Sequence, residues 1–218
     1  HRNYENIESD LTAISGRKIA MSPSINFAMY NAASEHNTVF IQASPVSKYK
    51  AVKNQIEING FRNAMLRDGV AMVRFLIWLQ KNIGNGNPTE LSIDEQLYKE
   101  RSAMENFRGI SFATIAGYQE HGAIVHYEAD EHSASILRPE GLLLIDSGAQ
   151  YLDGTTDITR TIPLGPTTEE QKKDYTLVLK GFIQLAMAEF PQGTCGTQLD
   201  VLARLAMWKE GINYGHGT

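Results

Sequence analysis

The chain has 218 residues, with 20 Lys and Arg against 25 Asp and Glu, a formal net charge of -5. No basic stripe is available to neutralise a phosphate backbone, which argues against nucleic acid as a partner. Hydrophobic residues make up 42% and charged residues 21%, the balance of an ordinary globular chain; the longest apolar stretch, Val70 to Leu79, is interrupted by Arg74 and too short to span a bilayer.

The chain opens with His1, and no charged-then-apolar leader follows. Two β-rich runs, Arg17 to Met21 and Thr38 to Ile41, flank a short helix expected over Ser24 to Tyr30 after Pro23. This predicts a small α/β unit over residues 1–44, closed by Ser44-Pro45, where the residue before proline is pushed away from helix. A second domain is expected over residues 45–218. It begins with a helix from about Val46 to Asn59 and another from Phe61, whose Phe61, Met65, Met72, Phe75, Leu76 and Leu79 share one face. Gly84 to Pro88 ends that helix, and Ser92 with Glu95 reads as the capping box of a third, through about Glu105.

The period then changes from helical to alternating. Strands are expected at Phe112–Ala116, Ala123–Tyr127 and Gly141–Ile145, and at Thr155–Ile162 after an Asp153-Gly154 turn. Thr168 with Gln171 caps a long helix presenting Tyr175, Val178, Leu179, Phe182 and Leu185, and a last helix from about Thr197 ends at Gly211. Helices followed by a mostly antiparallel sheet flanked by helices is an α+β layout. Gly215-His216-Gly217-Thr218 stops directly after that helix and its turn, so the chain reads as a piece of a longer protein.

The sharpest chemical feature is Leu144-Ile145-Asp146-Ser147-Gly148, followed by Asp153-Gly154-Thr155-Thr156-Asp157-Ile158-Thr159-Arg160-Thr161. A carboxylate straight after an apolar run is costly to bury unless paired, neutralised or bound to a cation. A fold-back at Tyr151 to Gly154 could set Asp146 beside Asp157, where the two repel unless a proton or metal lies between them. Oxygen ligands of this kind suit divalent cations such as Mn²⁺. The competing reading has Asp146 capping a turn and Asp157 on a solvated strand, with Asp153 belonging to the turn in either case.

His121, His126 and His132 invite a zinc reading, which strand alternation opposes by placing His121 and His126 on opposite faces. His126, following Ala123-Ile124-Val125, reads either as a satisfied core residue or as a catalytic one. Cys195 could pair with His216 as nucleophile and base, or be a structural thiol. A single cysteine permits no internal disulfide, so nothing asks for an oxidising compartment and a cytoplasmic location is expected.

The aspartate segment, from Ile145-Asp146-Ser147-Gly148-Ala149-Gln150-Tyr151 through Asp157 to Thr161, resembles the metal-binding hairpin of aminopeptidase P, the Xaa-Pro aminopeptidases of the pita-bread metallopeptidases. Gly122 to Tyr127 resembles the family's histidine strand; Lys50 to Asn54, Gly60-Phe61-Arg62 and Trp78-Leu79 resemble its opening helices; Tyr214 to Thr218 resembles the start of its His-Gly motif. The resemblance implies a partial pita-bread domain preceded by the remnant of a creatinase-like amino-terminal domain.

It further implies that Asp146 and Asp157 are two of five ligands to a pair of divalent ions, usually Mn²⁺, with Zn²⁺ or Co²⁺ as alternatives, and that Asp157 bridges them. His126 would be the catalytic and substrate-contacting histidine, His216 would line the proline side of the pocket, and Thr159 would orient Asp157. The remaining His and two Glu ligands are expected beyond Thr218, so the fragment itself should be inactive and bind metal weakly or not at all. Peptides with an Xaa-Pro amino terminus would be the substrates, and the whole protein would be a homodimer. A prolidase acting on Xaa-Pro dipeptides, and a metal-free pita-bread module that binds peptides or proteins, are the alternatives.

Overall fold

The computed structural model describes residues 1–217, and the chain divides into two compact units after Ile58. In the first, a 3-10 turn (Tyr4–Asn6) leads into α1 (Ile7–Thr12), followed by β1 (Lys18–Met21), α2 (Phe27–Ser34), β2 (Thr38–Ile41) and α3 (Pro45–Ala51). β1 and β2 pair in parallel, from Lys18 opposite Thr38 to Met21 opposite Ile41. The helix between them starts three residues later than the sequence suggests. Asn26 takes the cap, its side chain accepting from the Met29 N–H at 2.9 Å, so Ser24 and Ile25 stay outside.

The second unit is built on α4 (Gln55–Asn82), which begins in the last residues of the first. The sequence predicts a break near Gly60, and the structure shows none. Gly60 is there for space: a Cβ at this position would lie 2.2 Å from the Asp153 carbonyl oxygen, so glycine lets a hairpin rest against the helix backbone. Then come α5 (Glu90–Ser102), β3 (Phe107–Ile110), β4 (Ile115–Tyr118), a 3-10 turn (Gln119–Ala123), β5 (Leu142–Ser147), β6 (Ala149–Tyr151), β7 (Gly154–Thr155), β8 (Ile158–Pro163), α6 (Glu169–Ala186) and α7 (Gly196–Trp208).

The cap of α5 is the reciprocal pair Thr89–Ser92 rather than Ser92–Glu95, which moves the helix start three residues upstream. Two three-stranded antiparallel sheets follow, ordered β3-β6-β7 and β4-β5-β8. Met72, Phe75 and Leu79 of α4 and Ile93 and Leu97 of α5 pack with Leu143 and Ile145 of β5 in one buried cluster. In α6 the Thr168–Gln171 capping box forms as expected, and Gly181 admits the Ala203 backbone of α7. The predicted apolar face of α6 is largely uncovered: Tyr175, Val178, Leu179 and Phe182 are exposed, and burial falls on Leu177 and Gly181 instead.

Candidate metal centre

β5 alternates strictly, with Leu143, Ile145 and Ser147 turned into the core and Leu142, Leu144 and Asp146 half-buried on the opposite face. Asp146 is therefore not the end of a wholly buried run. It belongs to the second face of the strand, opposite Ile115 of β4 on one side and Thr159 of β8 on the other.

Gly148 explains how the chain brings Asp157 back to it. A Cβ on Gly148 would lie 2.0 Å from the Thr156 carbonyl oxygen and 2.3 Å from Ser111 Oγ. Thr156, only 1% exposed, is held by the Thr156 N–H to Ala149 C=O bond at 2.9 Å. The Ala149 N–H donates to Thr156 Oγ1 at 2.9 Å, and Ser111 Oγ donates to the Thr156 carbonyl at 2.9 Å. These bonds interrupt the single strand expected over Thr155–Ile162 and leave Asp157 between β7 and β8. Asp153 sits in the β6–β7 turn and pairs with Arg67, as a turn residue rather than a site residue.

Asp146 and Asp157 line one pocket of about 420 Å³ together with Phe112, Thr114, Ile115, His126, Tyr127 and Glu128. Asp146 Oδ1 is buried and has no hydrogen-bond partner. Burial, and then the neighbouring Asp146 carboxylate, push the Asp157 carboxyl above the ordinary carboxylate range. Among the described residues, no group of three or more His, Cys, Asp and Glu is placed to hold a metal ion.

His126 corrects the sequence reading. Residues 119–123 form a 3-10 turn rather than the start of a strand, and His126 has a left-handed backbone, φ 56°. Without a strand here, His121 and His126 are not held to opposite faces, and the structure gives each ring its own surroundings. The His121 ring stacks on Tyr127 and bonds Glu90, while His132 lies in an exposed turn capped by Asp130.

His126 reaches the pocket wall, and its ring meets that of His216 edge to face at 5.5 Å. The segment carrying His216 is tied to α7 by Arg204, which pairs with Asp200 and donates to the Tyr214 and His216 carbonyls at 2.7 and 2.8 Å. Cys195 is exposed at the start of α7 and its thiol faces the Gly193 carbonyl. Nothing in the sequence singles out Glu90, whereas Gly148 and Thr156 lie inside the aspartate motif itself, the only signal available for them.

The model of metallopeptidase family M24 matches residues 59–218. A probable Xaa-Pro aminopeptidase P of Paracoccidioides brasiliensis (strain Pb18) is 44% identical over 204 residues, 93% of this chain and 33% of the relative. Aminopeptidase P1 of Lotus japonicus is 42% identical over 84% of this chain and 31% of its own length. The X-prolyl aminopeptidase of Caenorhabditis elegans superposes with a TM-score of 0.90 at 35% identity, covering 100% of this chain and 37% of the neighbour. The prolidase of Pyrococcus furiosus shares the fold at a TM-score of 0.76 and 20% identity, covering 97% of this chain and 60% of its own. The chain thus spans about a third of the length of the curated relatives it matches, and its fold is part of the pita-bread architecture. With the family model covering most of the sequence, the chain belongs to metallopeptidase family M24.

Proposed function

We propose that this chain carries part of the active site of an Xaa-Pro aminopeptidase, a metal-dependent exopeptidase that removes the amino-terminal residue from peptides with proline in second position. The observation that carries the reading is the carboxylate pair: a buried, unpartnered Asp146 oxygen beside an Asp157 whose carboxyl is held above its usual range. Two such groups facing a pocket repel, and a shared cation relieves both the repulsion and the missing partner. Both donors are hard carboxylate oxygens, which fits Mn²⁺, with Zn²⁺ or Co²⁺ as substitutes. Asp146 and Asp157 would hold two divalent ions, which when bound supply Lewis acidity toward the scissile carbonyl and an activated water.

The protein's own groups do the positioning. His126, on the pocket wall, donates a hydrogen bond to the substrate carbonyl oxygen as charge builds there, an interaction worth most in the transition state. His216, packed edge-on against His126, lines the side that receives proline. Thr159, across the ladder from Asp146, steadies the strand that follows Asp157. The names of the fungal and plant relatives support the activity, and the nematode neighbour is described as a cytosolic enzyme with a di-nuclear active site, which supports both two ions and a cytoplasmic location. No helix among the described residues is long and apolar enough to cross a membrane. With no group of three or more ligating side chains among the described residues, the chain alone is proposed to bind Mn²⁺ weakly or not at all and to be inactive.

The test is release of the first residue from an Xaa-Pro-Yaa tripeptide by the full-length protein, with and without Mn²⁺, beside Asp157→Ala. Mn²⁺-dependent release that disappears in the variant is expected. Turnover of Xaa-Pro dipeptides alone would make the protein a prolidase, and no turnover of either would favour a peptide-binding module. Tight, stoichiometric uptake of two Mn²⁺ by the 218-residue chain would refute its proposed incompleteness.

A further inference from the structure

Glu90, the first residue of α5, is 1% exposed, yet its carboxylate has no cationic Lys or Arg partner among the described contacts. It is instead surrounded by donors drawn from one long segment. Oε1 accepts from the Tyr118 N–H at 2.7 Å and from His121 Nδ1 at 2.9 Å. Oε2 accepts from the Tyr127 hydroxyl at 3.1 Å and from the Ser135 N–H at 2.8 Å. Because a carboxylate only accepts, His121 carries its proton on Nδ1 in this arrangement. The His121 ring lies stacked on Tyr127, with centroids 4.4 Å apart. The Glu90 N–H and the Ser135 carbonyl close the same junction at 3.2 Å.

One buried carboxylate thus binds the end of β4, the 3-10 turn, and both arms of the irregular segment between Tyr118 and Ser135. His126 stands in the middle of that segment, one residue before Tyr127, with its backbone at a positive φ uncommon for a residue that carries a Cβ. Charge-assisted bonds in a dry site are about twice as strong as neutral ones, and a group held by four of them leaves little freedom to what it holds. Burial, with the Glu90 carboxylate nearby, raises the Tyr127 hydroxyl above its ordinary value and keeps it a donor.

We infer that Glu90 is a positioning residue of this site: through Tyr127 and His121 it fixes where His126 meets the pocket that holds Asp146 and Asp157. The functional half of this inference rests on the role proposed for His126. The packing half does not, and the two are read separately.

Hydrogen exchange followed by mass spectrometry on the full-length protein reads the packing. Glu90→Ala is expected to accelerate exchange across residues 118–137 and leave β5 and β8 unchanged. Glu90→Gln should fall between, since its amide oxygen still accepts from Tyr118 and His121, whereas its NH₂ faces the Ser135 N–H. Unchanged exchange in 118–137, or acceleration spread through β5 and β8, would overturn the inference.

Kinetics on an Xaa-Pro-Yaa tripeptide read the coupling. Glu90→Ala is expected to lower kcat/KM about 10- to 100-fold, mainly through kcat, by misplacing a group that acts in the transition state. In a His126→Ala background the same substitution should cost less than about threefold, because its effect runs through the missing ring. Losses that multiply in the double variant would show Glu90 acting elsewhere and overturn the positioning role. A His126→Ala protein as active as its parent would instead overturn the role proposed for His126, and the functional half of this inference with it.

Discussion

Gly148→Ala isolates the contact that brings the two aspartates together. The added Cβ would lie 2.0 Å from the Thr156 carbonyl oxygen and 2.3 Å from Ser111 Oγ, whereas ordinary contact begins at 3.4 Å. One of the two atoms is backbone, and Thr156 is pinned on both its N–H and its hydroxyl by Ala149, so relief requires moving the strand connection by more than an ångström. Forced overpacking of this kind costs about 1–3 kcal/mol. Losing the Ser111 donor to the Thr156 carbonyl adds about 1 kcal/mol. The expected total is about 2–4 kcal/mol, or roughly 5–15 °C in Tm for a chain of this size.

Gly69→Ala provides the comparison, since its Cβ would meet nothing within 4 Å and it lies inside α4. Removing a helical glycine there should stabilise by about 0.5–1 kcal/mol. Thermal unfolding followed by circular dichroism measures both, and Mn²⁺ titration of the full-length protein measures the site. Gly148→Ala within about 0.5 kcal/mol of the parent, with Mn²⁺ affinity intact, would refute the close-approach argument.

Three further outcomes are expected. Arg101 and Asp68 form a fully buried bidentate pair at 2.8 and 3.0 Å, with the Tyr151 hydroxyl also donating to Asp68, so Arg101→Ala strands a buried carboxylate and should cost about 3–5 kcal/mol in denaturant unfolding. Without metal, Asp157 binds its proton more tightly folded than unfolded, so the folded state loses stability as pH rises from the ordinary carboxylate value through the raised one, and the full penalty persists above it. In EDTA, Asp157→Asn should therefore remove that fall between the two values, so that Tm climbs more with pH across the acid range and is higher at neutral pH; an unchanged slope would contradict the pairing. Arg204→Ala should speed hydrogen exchange in the segment carrying Tyr214 and His216 while Tm moves little, and Arg204→Lys should not restore protection, since a single ammonium cannot reproduce the forked contacts to Asp200 and two carbonyls.

The sequence by itself determined the family and most of the elements. Alternation in β5, the Thr168–Gln171 capping box and the spacing of Asp146 and Asp157 are local signals, legible because a strand repeats every two residues and a cap is satisfied within one turn. What tertiary structure decided is wherever a distant partner overrides local preference. Gly60 looks like a helix break and is a seat for Asp153, far along the chain. Residues 123–127 look like a strand, but Glu90 draws both arms of their segment inward and leaves His126 with a left-handed backbone. The four apolar residues before Asp146 suggest a wholly buried strand, and only the pleat shows that the carboxylate faces away from the core. The aspartates were readable as residues, but their meeting depends on a glycine without a Cβ beside Thr156, a contact that no periodicity records.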